Sequence, residues 1–180
     1  MTVVSSPSSV PAGQPVPSVS RPTDRLAPPA YVPVIRHGKK PSPSIHPRAG
    51  RFSPTAPATY PDGVSLTVNR VKHGVETGEG PGVFPGRPYT AFFLSLRSRS
   101  PHPIDVNQVV VTATYGSPAR IASPVYEGSA ARDFAGTVKR GGSASATYVF
   151  AIPPGGGTGV VVVVDFDDTH VSARFTGAMR

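Results

Sequence analysis

The stretch GVVVVVDFDD, Gly159 to Asp168, decides how this chain is read. Five successive valines favour a strand, because a branched Cβ loses rotamer freedom in a helix and packs well on a pleated surface. Val160, Val162, Val164 and Phe166 then share one face. The acids that follow, Asp165, Asp167 and Asp168, admit two readings. In one they form a turn, accepting from nearby backbone N–H groups before the chain returns through HVSARFT (170–176), where Val171, Ala173 and Phe175 share a face. In the other they cage a cation. Calcium takes about six to eight oxygens, spaced along a loop that a glycine turns. Asp165-x-Asp167-Asp168 offers at most three carboxylates and has no neighbouring Glu. The hairpin is the expectation, and no metal is assigned.

Working outward, the same two-residue period recurs. GVSLTVNRV (63–71) aligns Val64, Leu66 and Val68. YTAFFLSLRS (89–98) sets Phe92, Leu94 and Leu96 against Tyr89, Ala91 and Phe93. VNQVVVTATY (106–115) aligns Val109, Val111, Ala113 and Tyr115, and SASATYVFAI (143–152) aligns Ala144, Ala146, Tyr148, Phe150 and Ile152. Weaker extended pieces fall at 123–126 and 134–138. Gly, Pro and Asp punctuate these runs, and no helical period outlasts a turn. The pattern predicts an all-β, immunoglobulin-like antiparallel sandwich over residues 60–180.

Upstream the texture changes. Residues 1–59 hold 13 of the 23 prolines, with seven basic side chains against Asp24, so most of the net charge of +8 lies there. With few large apolar groups, such a segment cannot repay an ordering entropy of about 1–2 kcal/mol per residue. It is expected to be a disordered, Pro/Ser-rich basic arm or linker. Its most apolar part, LAPPAYVPVI (26–35), is too short and Pro-rich to span a bilayer, and the opening residues do not read as a signal peptide.

The chain has no cysteine, which excludes disulfides, thiol catalysis and thiolate zinc sites. Its five histidines, 37, 46, 73, 102 and 170, form no i, i+2 or i, i+4 pair. No G-x-S-x-G precedes a helix, so a hydrolytic triad has no platform; a pocket gathering His170, Asp167 and Asp105 would revive an enzymatic reading. The Gly-rich pieces 78–88 and 153–159 lack the Lys-Ser/Thr and following helix of a phosphate cradle. No cofactor is expected. The residues picked for partner binding are Phe84, set among Gly and Pro, its neighbours Arg87 and Tyr89, and the basic pair Lys39-Lys40 of the arm. The arm should attract polyanions through charge alone, without specific nucleic-acid recognition, since Tyr31 and Phe52 are too few to stack bases.

Four segments, GPGVFPGRPYTAF, DVNQVVVTATYGSPA, DFAGTVKRGGSASATYVF and VVVDFDDTHVSARFTG, resemble the telokin-like, immunoglobulin-fold domains of exported or lipid-anchored actinobacterial proteins over residues 62–177. The resemblance implies a domain presented outside the cell or at its envelope on a Pro-rich linker, with no catalytic residues. Asp105, Asn107, Asp133 and Gly136 are then turn residues. The expected function is a non-enzymatic module that binds a protein or cell-wall polymer. The alternative is a component of a virion or other large assembly, its arm gripping neighbouring subunits.

Overall fold

The computed structural model describes residues 34–36, 38, 41–54, 56–126, 130–153 and 159–177. Among the described residues ten strands follow one another: β1 (Ala58–Thr59), β2 (Ser65–Val75), β3 (Pro88–Arg97), β4 (Ile104–Asp105), β5 (Val110–Tyr115), β6 (Arg120–Ile121), β7 (Thr137–Val138), β8 (Ser143–Phe150), β9 (Val161–Asp165) and β10 (Ala173–Thr176). Two antiparallel sheets, ordered β1-β2-β3-β8 and β10-β9-β5-β6, form the sandwich, and β4-β7 adds a short ribbon. This is the immunoglobulin-like arrangement the alternation predicts. Among the described residues no helix is long and apolar enough to cross a membrane.

The core is built from the faces read in the sequence. Val64, Leu66, Val68, Phe92, Leu94 and Leu96 of one sheet meet Ala113, Val160, Val162, Val164, Phe166, Ala173 and Phe175 of the other. The valine run is buried on one face in the main core and flanked in its own sheet by β5 and β10. The apolar back of β3 has its own use. Ala91, with Tyr89 and Phe93, packs beneath Val125 and Ala131 in a second, smaller cluster.

One departure from simple alternation lies in β2. The register against β3 shifts between Val68 and Arg70, leaving Asn69 as a bulge. One extra residue in a strand inverts its faces. Val71 therefore returns to the main core, and Arg70, Lys72 and Gly74 lie across from Phe93, Ala91 and Tyr89. Arg70 carries its guanidinium over the Phe93 ring at 4.1 Å.

The expected boundary at residue 60 falls inside the packed structure. Phe52 is buried in the main core against Phe175, with ring centroids 6.0 Å apart. Its N–H donates to the Arg174 carbonyl, and its carbonyl accepts from the Thr176 N–H. Ile45 makes a second parallel bridge at His170. Residues 44–52 thus cover the outer edge of β10, and β1 pairs with β2. A low apolar content does not prevent docking when the few large side chains meet a preformed sheet edge. Lys39 and Lys40 lie outside the described residues, as does the arm before Val34.

Candidate functional site

At one end of the sandwich, the turn after β9, the β1–β2 turn and the arm enclose a cleft of about 370 Å³. The β1–β2 turn closes with Tyr60 N–H donating to the Val64 carbonyl. Gly63 sits at φ 90°, where a Cβ would also meet Arg99 Cβ at 2.9 Å, so the tight turn requires glycine. That turn aims Asp62 at the cleft, where His170, Asp167 and Asp105 also stand. The three residues named as the nucleus of an enzymatic site are therefore brought to one cleft.

Their geometry is that of a clamp. His170 is buried between the rings of Tyr60 and Phe166, each centroid 4.9 Å away. Nδ1 is 2.7 Å from Asp167 Oδ2 and Nε2 is 3.2 Å from Asp62 Oδ2. Both ring nitrogens are engaged by carboxylates, so neither is open to take a proton from a substrate. Asp167 also accepts from the N–H groups of Thr169 (2.9 Å) and His170 (2.7 Å), the turn role expected of it. Tyr60 donates its hydroxyl to the Val171 carbonyl at 2.7 Å. Asp105 accepts from the Asn107 N–H at 2.9 Å and Asn107 Oδ1 accepts from the Gly136 N–H at 2.8 Å, which seats the β4–β7 ribbon.

The other acids of GVVVVVDFDD do hold a cation, and it is an arginine. Arg36 is 5% exposed. Its Nη2 donates to Asp165 Oδ1 (2.6 Å) and to the Asp165 carbonyl (2.8 Å). Nη1 donates to the Asp167 carbonyl (3.1 Å) and Asp168 Oδ1 (3.3 Å), and Nε to the Gln108 carbonyl (3.0 Å). A guanidinium has five N–H donors, and five contacts are made. The guanidinium takes the place that the alternative reading gave to a metal. Among the described residues no cluster of three metal-ligating side chains is found.

The clamp has a pH signature. Burial alone would lower the His170 pKa, but the hydrogen bond and charge of Asp167, then those of Asp62, hold it above the ordinary 6.5. Burial likewise pushes Asp167 up, but the His170 ring, two backbone N–H groups and the His170 charge bring it below 3.8. The His170 contribution is thus complete below its unfolded pKa and lost as pH rises through the folded value. That of Asp167 is complete above its unfolded pKa and lost as pH falls through the folded value. The melting-temperature difference between wild type and His170→Phe is expected to be largest at about pH 4 to 6.5 and to shrink toward pH 9. A difference independent of pH over that range would show that the ring contributes by packing alone.

Of the residues picked for partner binding, Phe84, Arg87 and Tyr89 lie at the far end of β2 and β3. Phe84 is half-buried, with the Arg87 guanidinium 4.6 Å from its ring centroid. Arg87 Nε donates to Glu76 Oε1, and the Phe84 N–H donates to Glu76 Oε2 at 3.0 Å. Tyr89 lies over Gly74, where a Cβ would meet its ring at 2.5 Å. Phe84 and Arg87 are thus brought together by Glu76, which sequence reading missed, while Tyr89 packs against the smaller apolar cluster. A lone buried glutamate at a strand end carries no sequence signal; only its partner eleven residues later explains it. No protein-family model, curated protein or solved structure matches this chain.

Proposed function

We propose that the chain is a non-enzymatic immunoglobulin-like interaction module, displayed at or beyond the cell envelope, that binds a protein or cell-wall partner while the upstream arm spaces it from its attachment. The resemblance to telokin-like domains supports the location. The engagement of both His170 nitrogens by carboxylates supports the absence of catalysis.

The observation that carries the reading is the outer edge of β2. β1 pairs only with Ser65 and Leu66, so from Thr67 to Val75 this edge has no neighbouring strand among the described residues. The Glu76 N–H bonds toward the β3 side, to the Arg87 carbonyl. By alternation, Val75, His73 and Val71 turn their backbone groups outward. Arg70 and Lys72 flank these positions and are exposed, so an extended segment bearing acids would find both ladder bonds and charge.

Retention on immobilised envelope-protein and cell-wall fractions at low salt is the test. Wild type is expected to be retained. His73→Pro, which removes an outward N–H, should weaken retention at least about tenfold, whereas His73→Ala keeps the N–H and should stay within about twofold. No retention of wild type, or equal retention of His73→Pro, would overturn the edge reading; recovery in large particles instead would turn it toward an assembly component.

A further inference from the structure

The four strands β1, β2, β3 and β8 contain no Asp or Glu. Their inner face holds Ala58, Leu66 and Leu96 in the main core, so by alternation the intervening residues turn outward. The register sets them in rows. Thr59, Ser65, Arg97 and Ser143 stand in line across the outer face, and Thr67, Ser95 and Ser145 form the next row. All but Arg97 carry hydroxyls. Past the Asn69 bulge, Arg70, Phe93 and Thr147 follow.

The first row opens on a cleft of about 410 Å³ lined by Arg48, Arg97 and Arg99 with Thr59 and Ser65. Backbone pairing fixes all three arginines around the β1–β2 turn. The Arg48 N–H donates to the Thr59 carbonyl at 2.8 Å, the Arg99 N–H donates to the Gly63 carbonyl at 3.1 Å, and Arg97 pairs with Ser65. The three are exposed, and among the described residues none has a carboxylate partner. The acid of that turn, Asp62, serves the other cleft: its Oδ1 accepts from the Val64 N–H and its Oδ2 faces His170. Positive charge is thus gathered in one place with no counter-charge beside it.

A second basic cleft, of about 320 Å³, lies farther along the same face and is lined by Arg70 and Arg132 with Ser145 and Thr147. Arg132 is tied to β8 by reciprocal backbone bonds with Thr147, and its neighbour Asp133 lines the groove toward β5 instead. The two clefts are separated by the four β3 residues from Arg97 to Phe93, about 13 Å.

The donor count points to the ligand. A guanidinium suits carboxylate and phosphate alike, but a carboxylate offers two oxygens, whereas a phosphate ester offers up to three and as much as about two charges. Three guanidinium groups and two hydroxyls match the phosphate. The hydroxyl rows between the clefts suit a polyol or sugar backbone. Nucleobases would need aromatic faces, and Phe93 already carries the Arg70 guanidinium at 4.1 Å.

We propose that the outer face of this sheet binds a linear polymer of phosphate-linked polyol or sugar units. Arg48, Arg97 and Arg99 hold one phosphate, Arg70 and Arg132 hold another, and the hydroxyl rows meet the units between. The site uses side chains on the face of the sheet, so it stands or falls separately from the backbone edge of β2.

The test is isothermal titration of the full chain at low salt with a poly(glycerol phosphate) oligomer long enough to reach both clefts. It is expected to bind at least about tenfold more tightly than glycerol phosphate, because the second contact becomes intramolecular, and more tightly than polyglutamate of equal charge. Replacing Arg97 and Arg99 together by Gln should weaken binding at least about tenfold, whereas replacing Arg120 and Arg174, exposed on the other sheet, should change it less than about twofold. In wild type the amide resonances of Ser65, Arg97 and Arg99 should shift on titration, a readout that needs no variant to fold. No binding, equal losses in the two double variants, or shifts confined to other residues would overturn the proposal. Tighter binding of oligothymidylate of equal charge would also overturn it, in favour of a nucleic acid.

Discussion

A chain that begins at Tyr60 is expected to show no cooperative unfolding transition, whereas one that begins at Val34, which keeps Arg36, Ile45 and Phe52, should retain one. The shorter chain lacks Phe52, whose ring fills the main core beside Phe175, and Ala58, which is fully buried on β1. Removing a buried Phe costs about 3–5 kcal/mol, and removing one partner of a buried ion pair costs about the same. Phe52 and Arg36 engage different partners, so their losses should add to on the order of 6–10 kcal/mol, against a usual domain stability of about 5–15. Losing Ile45 would further uncover the β10 edge. Urea titration followed by far-ultraviolet circular dichroism decides the matter. A midpoint for the 60–180 chain close to that of the full chain would show that the packed arm contributes little.

The second large effect is expected from Arg36→Met in the full chain, a loss of about 3–5 kcal/mol and a fall in melting temperature on the order of 10 °C. The substitution takes the guanidinium from Asp165, which is buried, and the donors from three backbone carbonyls, those of Gln108, Asp165 and Asp167. Methionine fills the space with none of those bonds. Arg36→Lys should recover only part of the loss, because an ammonium is compact and cannot reach five acceptors spread over two segments. Salt supplies a further readout: a pair this buried is screened little, so the deficit should persist at 1 M NaCl. A deficit below about 1 kcal/mol, or one that vanishes in salt, would mark the pair as a surface contact.

The parts of the fold legible in the sequence were those governed by local period. Val160, Val162, Val164 and Phe166, or Phe92, Leu94 and Leu96, alternate because a strand has two faces and one is dry. The bulge at Asn69 was not legible, since inverting a strand by one residue leaves a pattern that merely stops alternating. Arg36 was read as one of seven solvated charges, because nothing local distinguishes an arginine whose acceptor lies 129 residues away. At the cleft, the hairpin role of Asp167 could be inferred from its place between two apolar strands. Its bond to His170 is local, but the one from Asp62 crosses 108 residues and depends on a turn that Gly63 permits. Phe84, Arg87 and Tyr89 stood out by composition, and Glu76, which holds the first two, did not.

The covering of β10 by the arm also orders events in time. A ribosome making about 5–20 residues per second releases Phe52 on the order of 6–25 s before Phe175 exists to receive it. Until then the arm's large apolar groups have no sheet edge to join. Closing a loop of such length is entropically slow, so this contact is expected to form after the β2–β3 and β3–β8 pairings, whose partners lie nearer in the chain. The segment synthesised first is seated last, and a nascent chain stalled before β10 would present its arm to any chaperone or neighbouring edge within reach.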